Sequence, residues 1–307
     1  MGFVATVKWI LIALAIIYGI FIIINGYLKA KKITSKRIYS DYHVHSKFCD
    51  GHDEIEDIVN VAIEKNMPKI GFSSHSYLPS EMGWPMTKEG TEEYKKVVTE
   101  LKGKYKNQIE ILLGVEQDYW SPTDDLSDYD YVIGSVHSIL EQDTKNSAVD
   151  GLTKSFEYAV ENYFNGDKMA AAERYFELVS DLYDRTHCDV IGHFDLITKY
   201  NEKCMKEEGK PFVDSDDPRF VEAERKALEK LVATPVIFEI NTGGMARGYR
   251  TSPYPSERVL KFLSEHNTPV ILGSDSHEKE NLCYGFDEVM ELVKKYNLNL
   301  VYDPRNK

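Results

Sequence analysis

Cysteine is scarce and scattered in this chain. The four in 307 residues, Cys49, Cys188, Cys204 and Cys283, form no C-x-x-C pair, so there is no sign of a disulfide framework and a reducing compartment fits best. Cys49 alone stands beside candidate metal ligands, and it reads as a small buried side chain rather than a thiolate ligand. Acidic residues are absent from the first 37 positions, where Lys8, Lys29, Lys31, Lys32, Lys36 and Arg37 place six positive charges. The remainder carries 31 basic and 50 acidic residues, a net of −19 within a whole-chain charge of −13. A body so short of positive charge repels nucleic acid, and no nucleic-acid partner is expected. With 42% hydrophobic and 28% charged residues, the composition also excludes disorder away from the ends.

Charge is missing again between Trp9 and Ile24, and Asn25-Gly26-Tyr27-Leu28 extends that run to 20 residues. As a helix it spans about 30 Å of hydrocarbon. Five basic residues follow it and one precedes it, which predicts a single-pass membrane protein with its C-terminal body in the cytoplasm. A cleaved signal peptide fits less well, because the apolar run is long and no small-x-small site precedes the lysine cluster. Residues 1–37 are therefore expected to be a transmembrane anchor with a basic juxtamembrane segment, and residues 38–307 a catalytic domain.

Beyond Arg37, strand-like runs at 37–43, 69–73, 109–115, 129–136, 189–192, 235–240 and 269–273 alternate with helical stretches at 54–66, 91–105, 153–185, 218–232, 256–266 and 286–296. Short apolar strands alternating with helices predict an α/β protein with a parallel sheet buried on both faces. Seven repeats predict closure into a barrel, whose active site sits at the C-terminal strand ends. Polar residues gather at those ends: His43 and His45, His75, Glu116, His137, His193, then Asp275 and His277. Six of the nine histidines fall there, a concentration that isolated core or loop histidines do not explain. Residues i and i+2 of a strand share a face, so His43 and His45 are expected to converge, as are Asp275 and His277. Imidazole with carboxylate suits zinc, manganese or iron better than magnesium or calcium. Glu116 can bridge two ions through its two oxygens. Asp50, by itself, reads only as a turn residue.

The strings DYHVHSKFCDG (41–51), GFSSHS (71–76), GVEQDY (114–119), GSVHS (134–138), GHFDLITK (192–199), EINTGG (239–244) and GSDSH (273–277) resemble the PHP superfamily, named for polymerase and histidinol phosphatase domains. In particular they resemble its monofunctional histidinol-phosphatase branch, from about residue 38 onward. The resemblance implies a distorted (β/α)7 barrel with three divalent metal ions. It assigns His43, His45, Glu116 and Asp275 to one ion, Glu116, His137 and His193 to a second, and Asp50, His75 and His277 to the third, which raises Asp50 from turn residue to ligand. All nine positions carry ligand-competent side chains, which argues against a metal-stabilised interaction module without activity.

The implied activity is hydrolysis of L-histidinol phosphate to L-histidinol and phosphate, in histidine biosynthesis. Water bridging two cations becomes a hydroxide near neutral pH and attacks phosphorus in line, which gives Glu116, Asp275 and His193 catalytic as well as ligating roles. Arg247 and Arg250, after Asn241-Thr242-Gly243-Gly244, can grip phosphate oxygens. Lys199 is a further phosphate candidate, and Ser256 is expected to cap the next helix with its amides facing the site. Tyr77, Trp84 and Tyr119 stand on rim loops, while His52, His187 and His266 read as surface or capping residues. The anchor keeps open another phosphoester near the membrane, such as phosphotyrosine on a polysaccharide-export kinase or a nucleotide.

Overall fold

The computed structural model describes residues 18–21, 38–79, 83–123 and 126–306. The expected membrane span at 9–28 lies outside the described residues except for the helical 18–21, and the basic segment ending at Arg37 lies outside them entirely. Among the described residues, no helix is long and apolar enough to cross a membrane. The chain divides into two units, Met1–Ile38 and Tyr39–Lys307, and the second carries the sheet.

Seven parallel strands pair strictly in chain order: β1 (Lys69–Phe72), β2 (Glu110–Asp118), β3 (Tyr131–Ser135), β4 (Val190–Ile191), β5 (Ile237–Asn241), β6 (Pro269–Gly273) and β7 (Asn299–Leu300). Sequential parallel pairing requires a crossover between each pair of neighbours. Helix α1 (Ile55–Glu64) leads into β1, and the crossovers include α2 (Lys88–Tyr105), α3 (Thr153–Tyr163), α4 (Lys168–Thr186), α5 (Asn201–Glu208), α6 (Pro218–Leu231), the single turn α7 (Gly243–Ala246), α8 (Glu257–Glu265) and α9 (Phe286–Lys295). The helices bury amphipathic faces such as Ile55, Ile58, Val59 and Ala62 of α1. Helix starts follow local chemistry: the Thr87 hydroxyl accepts from Gly90 N–H at the start of α2, and Asp217 before Pro218 opens α6.

Six expected strands are present, but the first is not a regular strand. Asp41 makes an isolated parallel bridge to Ile70 and Val44 another to Ser276. Gly71 N–H donates to Asp41 O (2.8 Å) on one side, while His45 N–H donates to Ser276 O (2.8 Å) and Ser276 N–H to His43 O (3.1 Å) on the other. This irregular segment spans the gap between β1 and the chain leaving β6. The seventh strand is instead Asn299–Leu300, near the C-terminus. The helical stretch expected at 153–185 is two helices, broken where Asn165 and Gly166 both take positive φ (53° and 77°).

Period-two alternation sorts each strand. Leu112, Tyr131, Ile133, Val190, Ile237 and Ile271, with Tyr42, form a compact cluster of their own, separate from the larger core between sheet and helices. Leu112, Gly114, Glu116 and Asp118 share one face of β2, as Ile237, Glu239 and Asn241 share one face of β5. Apolar residues therefore floor the interior and polar ones follow toward the C-terminal strand ends. Tyr131 occupies the interior, donating its hydroxyl to Tyr42 O (2.6 Å), and glycine at 114 makes room for its ring. A Cβ on Gly114 would stand 2.3 Å from Tyr131 Cζ. Gly114→Ala should therefore lower stability by about 1–3 kcal/mol, read as a drop in the denaturant midpoint; an unchanged midpoint would mean that the ring is not packed there.

Candidate metal centre

The C-terminal strand ends bring all nine expected ligands together. Glu116 lies at the centre, about 1% exposed. Its Oε2 lies 3.2 Å from His43 Nε2, 3.4 Å from His45 Nε2 and 2.9 Å from His75 Nδ1. Its Oε1 lies 3.3 Å from His137 Nε2 and 2.8 Å from His193 Nε2. One carboxylate thus divides five imidazoles between its two oxygens. Asp275 Oδ1 stands 3.3 Å from His45 Nε2 and 3.9 Å from His43 Nε2. Asp50 Oδ1 gathers His75 Nε2 (3.6 Å), His277 Nε2 (3.3 Å) and His45 Nδ1 (3.8 Å).

The backbone explains the convergence, though not by strand alternation as expected. His43 and His45 lie in the irregular segment, and Asp275 turns out of β6 with φ of 49°, a left-handed conformation that aspartate tolerates. The Val44–Ser276 bridge lays the two strings side by side, and the His45 and His277 rings stack at 4.1 Å. An isolated bridge between His75 and Glu116 does the same for the next pair.

Two carboxylates that the sequence reading did not single out orient the imidazoles. Glu239 Oε1 accepts from His43 Nδ1 at 2.6 Å, and its Oε2 accepts from His193 N–H (3.0 Å) and Asn241 Nδ2 (2.9 Å). Asp118 Oδ2 accepts from His137 Nδ1 at 3.1 Å. With Nδ1 protonated in this way, Nε2 of both rings presents a lone pair toward Glu116, the arrangement that a metal-binding histidine requires. Glycine at 273 leaves space for Glu239, whose Oε1 would be 1.9 Å from a Cβ there. The available signal was parity: Asp118 follows Glu116 by two on β2, and Glu239 stands two residues before the end of β5 as Glu116 does on β2.

Electrostatics set the ligands' charge states. Burial pushes Asp275 up, but Arg247 and the neighbouring histidines outweigh it and hold the carboxyl well below its usual range. Burial likewise opposes ionisation of Glu116, yet His75, His43 and His137 keep it well below the ordinary value. Burial, then the like charges of His277 and His75, bring His45 down to about 3, so it stays neutral. Burial, then Asp50, pushes the Cys49 thiol up to about 11, and Cys49 joins none of the ligand groups found among the described residues.

Whether these residues fit divalent ions is decided by their unpaired atoms. His43 Nε2, His45 Nε2, His75 Nδ1 and Glu116 Oε2 are buried and have no hydrogen-bond partner among the described residues. Lone pairs converging without protons between them are costly unless a cation lies among them. Four overlapping groups could hold one: His43, His45 and Asp275; His43, Glu116 and His193; His75, Glu116 and His137; and His45, Asp50, His75 and His277. Mixed imidazole and carboxylate donors suit divalent transition metals.

A cavity of about 520 Å³ opens onto this cluster, and Trp84, Lys199 and Arg247 line it. Arg247 is held against the ligands, donating to Asp275 Oδ2 (2.8 Å) and Asp275 O (2.9 Å). Trp84 stands edge-on to His75 at 4.5 Å. The structure does not bring Arg250 and Ser256 here. Arg250 donates to Thr198 Oγ1 (2.6 Å) and lies over the Tyr254 ring (4.2 Å), and both residues line a separate cavity with Asp195 and Arg258. Ser256 precedes α8 without a side-chain cap; its N–H donates to Asp195 Oδ2 (2.9 Å). Tyr77 and Tyr119 are not among the lining residues. His52 pairs with Glu278 on the surface (3.2 Å), and His187 and His266 end α4 and α8.

A family model described as the PHP domain matches residues 41–243. The chain is 28% identical over 254 residues to a Schizosaccharomyces pombe protein named "Probable histidinol-phosphatase", covering 76% of this chain and 79% of that one. It is 23% identical over 276 residues to the histidinol-phosphatase of Bacillus subtilis, covering 82% and 98%. Its fold matches a candidate histidinol phosphatase from Listeria monocytogenes with a TM-score of 0.68 at 23% identity, covering 81% and 99%. It also matches the histidinol phosphate phosphatase of Lactococcus lactis, solved with zinc, L-histidinol and phosphate, with a TM-score of 0.59 at 21% identity, covering 87% and 97%. Removing an orienting carboxylate tests the site without removing a ligand. Glu239→Gln should weaken binding of the most tightly held metal about 10–100-fold by competitive chelator titration, with the protein still folded; unchanged affinity would show that Glu239 does not orient His43 for a metal.

Proposed function

The chain belongs to the PHP domain family, and on that premise we propose that it is a metal-dependent phosphomonoesterase that hydrolyses L-histidinol phosphate to L-histidinol and phosphate. The observation that carries this reading is the buried Glu116, whose two oxygens each face a separate set of imidazoles. Relatives named as histidinol phosphatases align along most of both chains, which supports the substrate.

Three ions, of zinc, manganese or iron, are proposed. His43, His45, Glu116 and Asp275 would hold one, Glu116, His137 and His193 a second, and Asp50, His75 and His277 the third. When bound, such ions supply positive charge for the phosphate oxygens and lower the pKa of water to produce a nucleophile near neutral pH. The chain's own residues do the rest. Glu239 and Asp118 fix the His43 and His137 rings with Nε2 facing inward. Arg247 and Lys199 place two positive charges on the cavity wall, where developing negative charge on phosphate is stabilised. Arg247, held on Asp275, is preorganised for that role.

The membrane anchor at 9–28 and a cytoplasmic location for residues 38–307 are likewise proposed, supported by the uncharged run and the basic residues after it. Residues 38–307 loaded with manganese or zinc should release phosphate from histidinol phosphate at least about tenfold faster than from phosphotyrosine, a nucleoside monophosphate or an aryl phosphate. Preference for another ester would sink the substrate, and no turnover of any would support a non-catalytic module. His75→Ala or Asp275→Ala should cost at least about 100-fold in kcat, and full activity in either would refute the site. In cell fractionation the full chain should sediment with membranes; its recovery in the supernatant would contradict the anchor.

A further inference from the structure

Four carboxylates line the cavity over the metal centre: Asp50, Glu116, Asp150 and Asp275. Three belong to groups able to hold an ion, and Asp150 does not. It lies on the strap between β3 and α3. That strap runs beside a ligand, because Val149 N–H donates to His137 O at 2.8 Å. The backbone at Asp150 is pinned from the other side, its carbonyl accepting from Lys199 Nζ (2.8 Å) and Tyr200 OH (2.9 Å). The Asp150 carboxylate itself accepts no hydrogen bond among the described residues. Its nearest cation, Lys199 Nζ, stands 3.8 Å from Oδ2 and already donates to the backbone carbonyl.

A fixed acidic group with unused acceptor capacity is therefore held on the wall of a cavity whose floor is built for a phosphate. Such a charge opposes a dianionic phosphate by simple repulsion, unless the same substrate brings a cation to meet it. Histidinol phosphate does: its ammonium is separated from the ester oxygen by only two carbons, so it must lie against the wall immediately beside the phosphate. We propose that Asp150 receives the ammonium group of the substrate in a charge-assisted hydrogen bond, and so selects phosphate esters of amino alcohols over amine-free esters. This rests on the histidinol phosphate reading given above. Asp150 contacts the substrate away from the reacting atoms, so its effect falls mainly on KM.

The test compares the full-length metal-loaded protein with Asp150→Asn on two substrates, histidinol phosphate and the same ester lacking the amino group. For histidinol phosphate, kcat/KM should fall on the order of 30-fold, mostly through KM. The amine-free ester should change less than about threefold. Asp150→Ser, measured the same way, covers the case in which asparagine disturbs the strap. Equal losses on both substrates would overturn the inference and make Asp150 a support for Lys199 or His137, and no loss on either would overturn it too. In both cases wild-type preference for histidinol phosphate would leave the substrate reading standing. Wild-type preference for the amine-free ester would overturn that reading together with this one.

Discussion

The structure depends on one buried carboxylate. Glu116 is almost fully enclosed, and an isolated carboxylate in such a place carries a desolvation penalty of several kcal/mol. The protein offsets it with five imidazoles packed against the two oxygens, and so creates a second problem. Imidazole lone pairs facing a carboxylate without protons between them are stable only around positive charge. Protonated histidines can provide some of it, and the raised basicity of His43 and His137, which the surrounding carboxylates maintain against burial, shows the pull toward that state. Divalent ions held by these residues would supply that positive charge without protonating the imidazoles. The site is in this sense a set of unmet electrostatic demands for which metal is the economical answer.

The sheet exists to present that arrangement. Period-two alternation fills the interior with apolar residues and leaves polar ones at the C-terminal strand ends, so each strand from β1 to β6 delivers a ligand or an orienting group to one rim. Glycines at 114 and 273 give up side chains where Tyr131 and Glu239 need the space. The irregular segment at 41–45 gives up regular pairing, and that departure lets His43 and His45 converge with Asp275 and His277 across the gap it spans.

Much of this was legible in the sequence because burial leaves a strong trace. Six strands read as short apolar runs, and the polar residues following them stood out against that background. The first strand misled because its apolar and aromatic composition matches that of a strand while its hydrogen bonds are divided between β1 and Ser276. Asn299–Leu300 was missed because it is short and only partly covered. Asp118 and Glu239 were missed for a chemical reason: a carboxylate at a strand end looks the same in sequence whether it binds a metal or holds the histidine that does. Arg247 and Arg250 looked equivalent, but the chain turns between them at Gly248, which takes a φ of 71°. One is drawn to Asp275 and the other to Thr198 and Tyr254.

The most direct test of the central claim is anomalous diffraction from crystals of the protein grown with manganese or zinc. The account predicts metal density within coordination distance of both Glu116 oxygens, with His43, His45 and Asp275 on one side and His137 and His193 on the other. Crystals saturated with either metal that show no density at Glu116, its carboxylate hydrogen-bonded only to protonated histidines, would contradict it.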